Sequence, residues 1–86
     1  MKRENVLNYM RNIKKEDIIS FSKKENIDID SNDLEIIYEY VKNRGSDLLD
    51  NPLDIFSEVK DKISNNVYDK LLRLYNNYKF IIDKIK

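Results

Sequence analysis

Asp28–Glu39 reads DIDSNDLEIIYE, and the reading of this stretch decides the fold. Taken as a loop, it places oxygen-bearing side chains at positions 1, 3 and 5 and a glutamate at position 12, the spacing of an EF-hand calcium site. Taken as a helix start, it leads into Leu34, Ile37, Tyr38 and Val41, which follow the i, i+3, i+4, i+7 pattern of one apolar helix face. Three features favour the helix. Position 6 of a calcium loop turns sharply on a glycine, whereas Asp33 stands here and its Cβ is penalised in the left-handed conformation. Position 8, which should face a core, is Glu35. Upstream, Ser20, Lys23 and Lys24 occupy the places where an incoming helix should turn apolar side chains inward. The expectation is therefore a helix over about residues 31 to 44. Asp30 caps it, Asp33 favours its positive end, and Ile29 packs on Leu34 as a hydrophobic staple.

The same local grammar recurs outward from this segment. In IKKEDI, residues 13 to 18, Ile13 and Ile18 flank an acidic helix start, and Ile63, Ser64 and Tyr68 repeat the arrangement. Residues 4 to 11 carry Val6, Leu7 and Met10 on one side, and residues 15 to 26 form a second helix through Ile18, Ile19 and Phe21. Gly45, in NRG, sits where a left-handed C-terminal cap is expected. SDLLDN, residues 46 to 51, then reads as a connector anchored by Leu48 and Leu49. Asn51-Pro52 supplies an N-cap followed by proline at the first helical position. The helix that follows shows Ile55, Phe56, Val59 and Ile63 on one face. Ser64 caps a long final helix from about residue 65, in which Val67, Leu71, Leu74, Tyr78, Ile81 and Ile85 form one stripe.

With one proline, one glycine and no alternating apolar pattern, the chain is expected to be all-α. The predicted architecture is a small bundle of four or five short helices ending in one long C-terminal helix. Residues 1 to 86 form a single domain, with 1 to 12 a peripheral helix and 79 to 86 an extension of the last helix. The predicted core is Ile13, Ile18, Phe21, Ile29, Leu34, Ile37, Val41, Ile55, Val59, Ile63 and Leu71.

Composition narrows the function. Cysteine and histidine are both missing, which removes disulfides, thiolate and imidazole metal sites and the usual nucleophile–base pairs. A single glycine rules out glycine-rich phosphate loops. No apolar run exceeds three residues, so neither a membrane span nor a signal peptide is expected, and a cytoplasmic protein without cofactors is. Formal charge is zero overall but unevenly spread: +3 over residues 1 to 26, −7 over 27 to 61 and +4 over 62 to 86. Basic ends lying beside an acidic middle account for this simply.

The order IKKEDIISFSKKENIDI, a helix ending in NRG, the DLLDNP connector and an IFSEVKDKIS helix resembles a family of short uncharacterised proteins from low-GC Gram-positive bacteria. The resemblance runs from about Ile13 to Tyr78. It implies an all-helical cytoplasmic domain with no catalytic residue or cofactor to carry over. The chain departs from the pattern in Lys14, where Ser or Thr is expected as a cap, and in its longer end YKFIIDKIK.

Two classes of function compete. The first is a non-enzymatic protein-interaction or self-association module, whose partner surface is an apolar end formed by Phe80, Ile81, Ile82 and Ile85 unless residues 4 to 11 cover it. The second is nucleic-acid binding through Lys14, Lys15, Lys23 and Lys24 on one helix and Lys70, Arg73 and Lys79, interleaved with Tyr68, Tyr75 and Tyr78, on another. The zero net charge and the −7 middle disfavour a polyanion. Asp47, Asp50, Asp54 and Glu58 cluster around the connector, but acid–base catalysis also needs a partly apolar pocket to separate carboxylate pKa values. An enzyme is not expected.

Overall fold

Six helices, with no strand among the described residues, follow one another in the computed structural model, which describes residues 2 to 85. They are α1 (Arg3–Arg11), α2 (Lys15–Lys24), α3 (Ser31–Asn43), α4 (Gly45–Asp50), α5 (Pro52–Val59) and α6 (Asn65–Ile85). The fold class is all-α, as the periodicity predicts. The count is one higher than expected because SDLLDN is no mere connector: α4 runs through it. Met1 and Lys86, the ends of the predicted peripheral helix and C-terminal extension, lie outside the described residues.

The start of α3 settles the opening question. Asp30 caps the helix, its Oδ1 accepting the Asp33 N–H at 2.8 Å, and Asp33 Oδ2 accepts the Asp30 N–H at 3.3 Å. A reciprocal pair of this kind satisfies two of the amides that every helix start leaves unpaired. Helix from Ser31 onward occupies most of the stretch a calcium loop would need, so that loop is not formed. Ile29 packs on the main core cluster, and Leu34 is half-buried. At α2 the cap is one-sided: lysine has no acceptor to offer, but Asp17 Oδ2 accepts the Lys14 N–H at 2.9 Å.

Two turn assignments change. Gly45 has no left-handed backbone; it begins α4, and Arg44 serves as the cap between α3 and α4. Glycine leaves room there for Met10, since a Cβ would lie 2.7 Å from its sulfur and push the side chain aside where α1 meets α4. The left-handed residue is instead Asn26, with φ 57°, which ends α2. Pro52 opens α5 as predicted, whereas the Asn51 side chain makes no capping bond.

The core forms where α5 and α6 meet the loop before α3. Ile27, Ile55, Val59, Ile63 and Val67 make one buried cluster, with Val67 only 1% exposed. Ile18 and Leu49 are buried outside it. Of the predicted core, Ile18, Ile55, Val59 and Ile63 are fully buried, and Ile13, Ile29, Leu34, Ile37, Val41 and Leu71 are half-buried. Phe21 is a correction: it is 47% exposed, because it lines an open hollow beside the buried Ile18 and is not covered by a neighbouring helix. Ile27 and Val67 take the fully buried places not assigned to them. Phe56 fastens α5 to α6, its ring 6.0 Å from Tyr68 and 5.6 Å from Tyr75. At 1.5 Å per residue α6 is about 30 Å long, close to the longest dimension of the molecule, 31 Å.

Candidate functional site

The packing of the helices leaves an apolar cleft. α6 lies on α4 and α5, α2 lies on α3, and α1 lies on α3 and α4. Between the α1–α2 wall and α6 opens a hollow of about 250 Å³. Tyr9, Ile13 and Phe21, Ile37 and Val41 of α3, and Leu71 of α6 all line it. Tyr9 is 61% exposed, so it and Phe21 form an accessible apolar rim. A second hollow, of about 150 Å³, continues beneath Ile37, Val41 and Leu71 towards Leu48, Phe56 and Val59. The three shared residues make the two hollows neighbours in one apolar surface.

The polar groups at the cleft are few. Asp17 lines it, with its carboxylate held at the Lys14 amide, and the buried Ser22 hydroxyl donates to the Ile19 carbonyl at 2.7 Å. At the end of α2, Lys70 of α6 donates to the Asn26 carbonyl at 2.9 Å, tying the two walls together. Each of these polar groups is already engaged in a hydrogen bond within the protein.

The residues singled out in the sequence fall into different settings. Phe80 is 59% and Ile81 43% exposed, whereas Ile82 and Ile85 are half-buried. The expected apolar end is thus split, with only two of its four members fully on the surface. Among the basic residues, Lys15 pairs with Glu35 and lies 5.5 Å from the Tyr38 ring; its bond to Glu35, ahead of partial burial, holds its pKa above the usual value. Lys70 is spent on Asn26, while Lys14, Lys23, Lys24, Arg73 and Lys79 are exposed. Of the tyrosines beside them, Tyr68 and Tyr75 pack on Phe56, and Tyr78 is exposed.

Three of the four connector acids, Asp47, Asp50 and Glu58, are drawn into ion pairs. Arg3 forks onto Asp50 at 2.8 and 2.9 Å, and Arg44 reaches Asp47 at 3.1 Å and also Glu58. Tyr40 donates to Glu58 at 3.1 Å and accepts from Lys62 at 2.9 Å. The bond from Arg44, against some desolvation, keeps the Glu58 carboxyl below its ordinary range. Among the described residues no group of three or more acidic side chains is placed to hold a metal ion. No helix among them is long and apolar enough to cross a membrane.

Sequence reasoning did not assemble the cleft. The signal for it was an excess of apolar residues on α2, where Ile19 lies off the face that Ile18 and Phe21 share. Comparison with protein-family models, curated proteins and solved structures finds no match. The functional reading rests on the geometry of the chain itself.

Proposed function

We propose that this protein is a non-catalytic interaction module of the cytoplasm, and that the cleft between α2 and α6 is the surface on which it receives a protein partner. One observation carries this reading: two adjoining apolar hollows share Ile37, Val41 and Leu71 and open beneath an exposed rim of Tyr9 and Phe21. Apolar concavities edged by accessible aromatic residues are where interface anchors seat, since a buried Leu or Phe side chain contributes about 1.5–3 kcal/mol. A protein partner fits better than a nucleic acid. The net charge is zero, and two of the three tyrosines beside the basic residues of α6 are engaged with Phe56.

The test is photo-crosslinking in cells that contain the protein. A benzophenone side chain at Phe21 should give an adduct of one defined mass, while the same group at exposed Leu53 on α5 should give none. Equal ladders from both positions, or no adduct at Phe21, would overturn the reading. An adduct of twice the chain mass would make the partner a second copy. Light scattering on Ile81→Glu/Ile85→Glu against wild type then reports whether the end of α6 takes part.

A further inference from the structure

We infer that α1 is a strap: a helix that undocks from the body as a unit while the other five stay packed, and whose release opens the hollow that Tyr9 borders. Burial is the first ground. Each of the other helices contributes at least one fully buried residue, from Ile18 of α2 to Val67 of α6, whereas α1 contributes none. Its apolar residues Val6, Leu7 and Met10 are no more than half-buried, and Tyr9 is exposed. Space is the second. A hollow of about 330 Å³ lies where Leu7 and Met10 meet Gly45 and Ser46 of α4, and Tyr9 lines the hollow of about 250 Å³. Apolar surface bordering a hollow is not withdrawn from water, so it holds α1 down less firmly than a closed contact would.

Fastening is the third ground. Among the described residues, one side-chain link joins Arg3–Arg11 to the rest of the chain: the Arg3 fork on Asp50, whose side chains are 30% and 48% exposed. An exposed pair of this kind contributes little and is screened by salt. The side chains of Arg11 and Asn12 turn back to Asn8, and no side chain caps the start of the helix. Few buried contacts and weak fastening place a segment at the low end of local stability. With nine residues α1 is also too short to persist alone, since isolated helices need roughly 12–15. Undocking therefore frees its amides to solvent and withdraws Tyr9 from beside the buried Ile18, which lines the same hollow. The undocking holds whatever the hollow receives.

Native-state hydrogen exchange tests the strap. In the wild-type protein the amides of α1 should be protected at least about a hundredfold less than those of α3 and α6, and low urea should speed exchange in α3 and α6 but not in α1. Arg3→Ala should quicken exchange in α1 alone, by up to about fivefold. A covalent lock supplies the converse. A Cβ on residue 45 lies 3.2 Å from the Met10 Cβ, just under the roughly 3.5–4.5 Å that a disulfide spans. Oxidised Met10→Cys/Gly45→Cys, in a chain with no other cysteine, should slow exchange in α1, and reduction should restore it. Exchange in α1 that keeps step with α3 and α6 would overturn the strap, as would a lock that forms and leaves the exchange unchanged. Thiol labelling of Ile18→Cys reads the opening of the hollow. Its rate should rise with Arg3→Ala by the factor seen for α1; labelling indifferent to Arg3→Ala would keep the strap and remove its control of the hollow.

Discussion

Ser64 donates both its backbone N–H and its hydroxyl to the carboxylate of Asp33, at 2.9 Å each, and so fastens the start of α6 to the start of α3. Asp33 is 2% exposed and also accepts the Asp30 N–H. One buried carboxylate thus satisfies donors at two helix starts 31 residues apart. Replacing Asp33 by Ala removes three hydrogen bonds to one charged acceptor; Ser64 and Asp30 lie at the surface, where water can take up part of the loss, and the expected cost is about 2–3 kcal/mol. For a domain of this size the melting temperature should fall by roughly 10–20 °C. Ser64→Ala removes only the hydroxyl and should cost about 1 kcal/mol. Equal losses for the two variants in urea titration would show that the carboxylate is not the hub.

Acid should weaken the same junction. Burial pushes the Asp33 carboxyl upward, but the hydrogen bonds from Ser64 and Asp30 outweigh it and leave the pKa below the ordinary value. The folded state then binds this proton less readily than the unfolded chain, so the stabilisation is full above the unfolded pKa of about 4 and is lost as pH falls through the lower folded value. Melting temperatures followed from pH 6 downward should show a steeper acid loss in wild type than in Asp33→Asn. Parallel curves would remove Asp33 from the acid response.

Gly45 and Met10 should be energetically coupled. A Cβ on residue 45 meets the Met10 sulfur at 2.7 Å and the Met10 Cβ at 3.2 Å, so Gly45→Ala must displace the side chain that docks α1. The expected cost is about 1–2 kcal/mol, in the range for overpacking. In the background of Met10→Ala the sulfur contact is gone and only the 3.2 Å Cβ contact remains, so the same substitution should cost less, giving a coupling of at least about 0.5 kcal/mol in a double-mutant cycle. Strict additivity would mean that α1 does not rest on Gly45.

Two apolar truncations separate the core from the cleft rim. Ile55→Ala, deep in the main cluster, should cost about 2–5 kcal/mol. Phe21→Ala should cost under about 1 kcal/mol, because its ring is half in water. A stability loss at Phe21 matching that at Ile55 would make the aromatic rim part of the core and close the cleft as a docking surface.

Phe21 and Ile55 also illustrate what the sequence can carry. Ile55, Val59 and Ile63 repeat on one face of a segment opened by Asn51-Pro52, and their burial was legible from spacing alone. Phe21 has the same apolar character and sits one turn from Ile18 on the same side of α2, yet Ile18 is 6% and Phe21 47% exposed, a difference that only the surrounding tertiary packing makes. SDLLDN was misjudged for a related reason: a helix of six residues is too short to show a periodicity. The cleft was illegible because its lining comes from α1, α2, α3 and α6, none of which contains the pattern by itself.

By itself, then, the sequence determined that the chain is helical, that helices begin at Asp30 and after Ser64, and that Pro52 opens another, because periodicity and capping act within three or four residues. The tertiary structure alone decided that Asp33 serves Ser64, that Gly45 makes room for Met10, that Lys70 reaches Asn26 and that Leu71 and Phe21 line one cleft. These partners lie 31 to 50 positions apart in the chain. Nothing local encodes their meeting; it follows from which helix faces can bury one another at the same time.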